Sequence, residues 1–205
     1  LVAGKGLAML KAAGIQVESG LLENEARALN RGFLSRIERG RPFVRLKCAA
    51  SLDGKTALSD GRSQWITGPE APADVQDGSA PTLIAKLVND EARLQAYTRY
   101  PHIRILRPSE QQGRIDLQDV LKQLADSGYG EVMVEAGATL AGAFLQAELA
   151  DEIVLYQAPK ILGSHARGLF ALPENPAALQ PNGAWQTYEI QIIGNDIKWI
   201  LQRSL

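Results

Sequence analysis

The run EVMVEAGATLAGAFLQAELADEIVLYQAP, residues 131–159, constrains the fold more than any other stretch. EVMV is an apolar strand, TLAGAFLQAEL carries a helix, and EIVLYQAP is a second strand. A strand, a helix and a strand in that order make a βαβ unit, whose strands lie parallel while the helix crosses over right-handed. Such a unit needs a sheet to join. FVRLKCAA supplies another strand, with Val44, Leu46, Cys48 and Ala50 on one face and Arg45 and Lys47 on the other. TLIA (82–85) and HIRIL (102–106) are further short strands, and LQDVLKQLADSGYG is an amphipathic helix with Leu117, Val120, Leu121 and Leu124 on one side. TYEIQII and DIKWILQ flank Gly194-Asn195, the chemistry of a tight hairpin. The class is therefore α/β, a mostly parallel sheet flanked by helices with an antiparallel C-terminal hairpin at one edge.

The first 40 residues are of a different kind. GKGLAMLKAA reads as a short helix closed by Gly14, IQVES as a strand, and LLENEARALNRGFLSRIER as a helix with an apolar stripe of Leu22, Ala26, Leu29, Phe33 and Ile37. These elements cannot close a core alone. Residues 1–40 thus read as the C-terminal tail of a preceding domain and 41–205 as the next domain, and a start at Leu1 rather than Met agrees with a chain continued upstream. Further on, SQWITGPEAPADVQ starts a helix after Thr67, with Pro69, Glu70 and Asp74 suited to its N-terminal half. The loop Asp77-Gly78-Ser79-Ala80-Pro81 then cuts that helix short before it shows an apolar stripe.

Composition removes several classes of function. A net charge of −1 without a long basic run argues against nucleic acid as a partner. Cys48 is the only cysteine, which excludes a disulfide framework and a cysteine-based structural zinc site within this chain and suits a reducing cytoplasm. His102 and His165 are far apart, and neither has an acidic cluster beside it, so both read as ordinary histidines and no metal site is expected here. No apolar run approaches the ~20 residues that span a bilayer, and the N-terminus has no cleavage-site pattern. No membrane partner is expected.

In open α/β sheets, ligands sit beyond the carboxyl ends of the strands, and residues 135–139 occupy such a place. Gly137 permits a backbone path that other residues resist, Thr139 suits a helix cap, and the free amides of a first helical turn attract anions. Thr139 breaks the GxGxxG dinucleotide pattern, and Ala143-Phe144 replace the Lys-Ser or Lys-Thr of a P-loop. A triphosphatase is disfavoured, while a dinucleotide held by backbone amides stays open, as does a turn kept for packing alone. Glu135 either faces solvent, caps the helix, or addresses a hydroxyl or amine of a ligand whose phosphate lies next door. Lys47 shares its face with Arg45, as in any half-solvated strand. Trp65 serves as an aromatic wall for a flat ring or as a hydrophobic plug.

Taken together, RPFVRLKCAASLDGKTALSDGRSQWITGPEA, VEAGATLAGAFLQAELADEIVLYQAPKILG and the terminal hairpin resemble the bacterial bifunctional riboflavin-biosynthesis deaminase/reductase, over most of residues 41–205. The resemblance implies a dihydrofolate-reductase-like fold and reduction of 5-amino-6-(5-phosphoribosylamino)uracil at the ribose C1′ by NADPH, in a homodimer or larger assembly. It matches Gly137, Ala138, Thr139, Leu140, Ala141, Gly142 and Ala143 to the cofactor phosphates, and Ala49 and Trp65 to the cofactor's reactive end. Ser63 and Glu135 match substrate contacts, and Lys47 matches a lysine near the ribose, so Lys47 and Glu135 are the expected catalytic pair. Residues 1–40 resemble the end of the family's zinc deaminase domain. The zinc-binding His-x-Glu and Pro-Cys-x-x-Cys motifs do not occur in this chain, so zinc and deamination would belong to the rest of a complete protein. A family segment, with a substrate-binding arginine and further cofactor contacts, is missing between Gln76 and Asp77. The alternatives are a noncatalytic nucleotide-binding remnant and another pterin or pyrimidine reductase of the same fold.

Overall fold

The computed structural model describes residues 4–63, 66–67, 82–85, 103–175 and 184–203. Its organising strand is β1 (Phe43–Ser51), whose residues alternate between fully buried and half-buried as the sequence alternation predicts. β2 (Lys55–Ala57) follows after a turn, and β3 (Thr82–Ala85), β4 (Ile103–Leu106), β5 (Glu110–Gln111) and β6 (Arg114–Ile115) precede the βαβ unit. That unit comprises β7 (Glu131–Glu135), a helix, and β8 (Glu152–Ala158); β9 (Arg167–Gly168), β10 (Trp185–Ile193) and β11 (Asp196–Arg203) complete the strands. The helices are α1 (Lys5–Ala12), α2 (Glu23–Leu29), α3 (Arg31–Arg39), α4 (Leu117–Asp126) and α5 (Ala138–Gln146).

The main sheet has the order β10-β11-β8-β1-β7. β1 runs parallel to β7 on one side and to β8 on the other, so the two strands of the βαβ unit are parallel with β1 lodged between them. β11 pairs antiparallel with β8, and β10 with β11 across Gly194, which stands at φ +62° as a tight turn requires. β3 and β4 form a separate parallel pair whose Leu83, Ala85 and Leu106 pack on the main core. The core gathers Val44, Leu46 and Cys48 of β1, Leu121 and Leu124 of α4, Phe144 of α5 and Ile153 of β8. α4 starts where Asp116 accepts the amides of Gln118 and Asp119, a side-chain cap that the sequence reading did not name.

The N-terminal segment departs from expectation in three ways. Residues 15–19 form no strand. The expected long helix divides at Asn30, whose side-chain amide and backbone N–H both bond the Ala26 carbonyl and so close α2. The apolar stripe then faces outward, with Leu29 85% and Phe33 56% exposed. Instead α3 buries Gly32 and Ser35, because only a glycine allows this approach: a Cβ at position 32 would lie 2.5 Å from Cγ of Glu131. Among the other elements, α5 ends at Gln146, earlier than the pattern suggested, and Glu148 turns the chain with φ +56°. The helix expected after Thr67 and the loop 77–81 lie outside the described residues, as does His102.

Ionic contacts fasten α3 and β1 to β8. Glu152, only 1% exposed, accepts from Arg45 and, at 3.0 Å, from Arg31, while Gln202 donates to it at 3.2 Å. Asp151 accepts from Arg39, from both terminal nitrogens of Arg41 and from the Val44 amide. Burial works to raise its pKa, yet these donors together hold the carboxyl below its ordinary value. Replacing Glu152 by Ala strands Arg31 and Arg45, which are about a quarter exposed and so partly rehydrated. The expected loss is about 3 kcal/mol, the lower end for breaking a buried pair. Urea unfolding of Glu152→Ala tests this; an unchanged midpoint would remove Glu152 from the account of stability.

Candidate functional site

β1 and β7 carry their C-terminal ends to one cleft. Lys47 and Glu135 are register partners on these neighbouring strands, which brings their side chains together. Lys47 Nζ donates to Glu135 Oε2 at 3.2 Å. The lysine is the sheltered member, 16% exposed against 55% for the glutamate, and its ammonium also stands 5.9 Å from the centre of the Tyr156 ring. A cation this enclosed needs its carboxylate, whereas the carboxylate keeps free lone pairs toward solvent. That asymmetry suits a lysine that meets a reacting atom and a glutamate that accepts bonds from hydroxyl groups.

The cleft measures about 790 Å³ and has Lys47, Cys48, Ala49 and Glu135 along the sheet side. Burial pushes the Cys48 thiol up to about 11, so it stays protonated at neutral pH and is no nucleophile. Gly137, Ala138, Thr139 and Leu140 border the cleft where α5 begins. The first bond of this helix runs from the Ala141 N–H to the Gly137 carbonyl, so the amides of residues 138–140 precede its ladder, and no side chain caps them. These donors suit a phosphate group. Gly137 itself has φ −71° and ψ 171°, ordinary extended backbone, and a Cβ there would meet nothing within 4 Å. The expected need for an unusual backbone path is therefore corrected: what glycine supplies is open space at the helix end. Thr139 lies one residue inside the helix and is not its cap.

The opposite wall comes from β2, the loop after it, and β9. Thr56, Ala57, Gly61, Ser63, Ile66, Thr67, Arg167 and Leu169 border the cleft here. Asp53 ties this wall to the end of β1. Its carboxylate accepts from Ser51 Oγ at 2.5 Å, from the Leu162 amide at 3.1 Å and from the Gly163 amide at 2.8 Å. The Ser51 hydroxyl, the Leu162 amide and the Gly163 amide hold the Asp53 carboxyl at about 2. The same knot is closed by the Leu52 amide on the Lys160 carbonyl and the Leu169 amide on the Gly54 carbonyl.

The residues singled out from sequence fall into three groups. Lys47, Ala49, Ser63, Glu135 and residues 137–140 meet in one cleft. Ala141 and Gly142 are buried, and Gly142 packs so closely on the next segment that a Cβ would stand 2.5 Å from the Ala171 carbonyl oxygen, while Ala143 borders a second hollow beside Gln111 and Arg114. Trp65 lies outside the described residues. Thr56, Thr67 and Arg167 were not anticipated; they come from strands of two or three residues and from a loop, too short for a periodicity that could have marked them. Among the described residues, no three His, Cys, Asp or Glu side chains gather as a metal site, and no helix is long and apolar enough to cross a membrane.

Comparison with known proteins now adds a family. The sequence model of the RibD C-terminal domain matches residues 42–80 and 73–199. The riboflavin biosynthesis protein RibD of Haemophilus influenzae is 34% identical over 258 aligned positions, covering 96% of this chain and 68% of its own. This chain belongs to the RibD family. RibD of Escherichia coli is 35% identical over 255 positions, with 96% of this chain and 69% of that protein covered. Both alignments are longer than the 205 residues here, so each relative has residues that face none in this chain. Acinetobacter baumannii RibD superposes with a TM-score of 0.77 at 31% identity, covering 98% of this chain and 69% of that one. The likeness extends at 20% identity and a TM-score of 0.73 to a Thermotoga maritima diaminohydroxyphosphoribosylaminopyrimidine deaminase/5-amino-6-(5-phosphoribosylamino)uracil reductase. The expected α/β, dihydrofolate-reductase-like fold of the family's reductase domain is thus the one observed.

The Asp53 knot makes a prediction about acid. A carboxyl whose folded pKa lies near 2, below its ordinary 3.8, stabilises the folded state above the unfolded pKa and loses that contribution as pH falls toward 2. Asp53→Asn is expected to melt earlier than the unsubstituted protein at neutral pH, and the gap should close between about pH 4 and pH 2. Thermal melts by circular dichroism at stepped pH measure both; a gap independent of pH would show that the ionised carboxylate is not what holds the knot.

Proposed function

We propose that this chain reduces the ribosyl side chain of 5-amino-6-(5-phosphoribosylamino)uracil to the ribitylamino product, with NADPH as hydride donor. The observation that carries the reading is the Lys47–Glu135 pair standing beside the uncapped start of α5 in one cleft of a RibD-family chain. NADPH, when bound, supplies a hydride for the ribose C1′. The chain's own groups then have separable tasks. Ring opening of the ribosylamine to an imine takes the proton off its nitrogen and puts one on the departing ring oxygen, and reduction then adds hydride to C1′ and a proton to the nitrogen. Lys47, cationic and sheltered, would give a proton to the ring oxygen or to the nitrogen bonded to C1′, with Glu135 holding it in place. Glu135 has free lone pairs for sugar hydroxyls, and Ser63 on the opposite wall is a second contact for the substrate.

The amides of residues 138–140 are the proposed seat of a cofactor phosphate, with Ala49 near the reactive end. Trp65, Ala141, Gly142 and Ala143 are proposed as further members of the cofactor region, and the last three would act by shaping α5. The complete protein is proposed to be a cytoplasmic homodimer or larger assembly with a zinc deaminase domain, of which residues 1–40 form the end. The family segment expected after Gln76 is proposed to be absent from this chain, a reading supported by alignments longer than the chain and by the two matched stretches that overlap at 73–80.

Loss of NADPH absorbance on adding 5-amino-6-(5-phosphoribosylamino)uracil is the direct test; a protein that binds neither molecule would end this reading. Glu135→Gln is expected to lower turnover at least about ten-fold, a loss of roughly 1.4 kcal/mol of transition-state stabilisation, with a thermal midpoint close to the parent's. Equal turnover in the two proteins would take Glu135 out of the reaction. Gly137→Val should weaken NADPH binding by filling the space before α5 without straining the backbone. Fluorescence titration reads this, and an unaltered dissociation constant would contradict a phosphate at the helix start.

A further inference from the structure

Two cations border the cleft among the described residues, and they are not equivalent. Lys47 is balanced by Glu135 at 3.2 Å. Arg167 has no carboxylate within ion-pair distance among the described residues. Asp60, whose carboxyl pKa is lowered by its bonds to Arg62 and then by the Arg167 charge, is itself paired with Arg62 at 2.7 Å. With one cation ion-paired and the other not among the described residues, the wall carrying Arg167 attracts anions.

Arg167 is also held as a presented group. β9 pairs antiparallel with β2, Arg167 opposite Ala57, which fixes its backbone beside the cleft. Its guanidinium donates one hydrogen bond, at 3.2 Å, to the Ser59 carbonyl. The flat group lies over Gly61, where a Cβ would stand 3.4 to 3.6 Å from three of its atoms and where φ is +92°, so glycine both makes the turn and leaves the plane its seat. A guanidinium has five N–H donors in a rigid fork, and the single bond to Ser59 leaves a pair for a ligand. Two parallel N–H donors match the oxygens of a phosphate better than any other common anionic group except a carboxylate.

We propose that Arg167 is the anchor for a phosphate group in this cleft. The inference rests on the reductase reading only for the two molecules that bring phosphate there, the phosphoribosyl substrate and NADPH. Arg167→Gln is expected to raise, by about ten-fold or more, either the KM for the phosphorylated substrate or the dissociation constant of NADPH, the cost of one lost charge-assisted contact. A change in the first, with the dephosphorylated substrate's kcat/KM unaltered, assigns the anchor to the substrate; a change in the second assigns it to the cofactor. Arg167→Lys keeps charge but loses the fork, so its loss should be intermediate, and it decides the matter if the glutamine variant does not fold. Binding of inorganic diphosphate, followed by phosphorus NMR on the parent and both variants, gives a readout free of the reaction. Weaker diphosphate binding in the variants supports the anchor even if the parent reduces nothing, an outcome that would fail the reductase reading alone. Unchanged constants and equal or absent diphosphate binding in parent and variants would overturn it.

Discussion

A strand paired on both sides, buried on one face and half-buried on the other, must dispose of every charge it carries, and β1 carries two on the half-buried face. Arg45 and Lys47 point away from the core of Val44, Leu46 and Cys48, and each meets a carboxylate on a neighbouring strand at its own register position. Arg45 pairs toward β8 with Glu152; Lys47 pairs toward β7 with Glu135. The chemistry is the same at both ends, and the exposure differs. Glu152 is sealed, saturated by Arg31, Arg45 and Gln202, and can only hold the structure together. Glu135 is more than half exposed at the mouth of a cleft, with acceptor capacity to spare. One strand thus uses the same device first as a fastener and then, two residues on, as the pair proposed to take part in the reaction.

The sequence pattern made these elements readable where burial has a period. β1, β7, α4, β8 and the terminal hairpin fall where the alternation or the three-and-four spacing placed them. Periodicity says that a face is apolar without saying which way it looks. The stripe of Leu29, Phe33 and Ile37 has helical spacing and still faces outward, because α3 can approach the sheet closely only through Gly32 and Ser35. The two glycines of α5 show the same limit. Gly137 and Gly142 are alike in the sequence, yet one leaves space beside the cleft while the other lets the Ala171 backbone touch the helix. Their difference lies in what packs on them, which no local spacing records.

The candidate site was legible for a different reason. The strand-to-helix junction at residues 135–138 is a chemical feature of any α/β fold, and family resemblance joined it to the distant Lys47 and Ser63. What escaped was the far wall. Thr56, Thr67 and Arg167 stand in short strands and loops whose positions are set by hydrogen bonds between segments over a hundred residues apart, such as those from Leu162 and Gly163 to Asp53.

That far wall still takes its reference from β1. Ser51 is the last residue of the strand and is completely buried; its hydroxyl accepts from the Lys55 amide and donates to Asp53, and Asp53 in turn grips the loop that follows β8. β2 leaves this knot on one side and β9 returns to it on the other, so Ala57 and Arg167 meet in register. The separation of Lys47 and Arg167 is therefore set through the end of β1, one hydrogen-bonded turn and the β2–β9 pairing rather than through a long flexible loop. A charge-balanced pair and an arginine without an ion-pair partner among the described residues give the cleft a polarity: neutral where the chemistry is proposed, and cationic where an anionic group would be received.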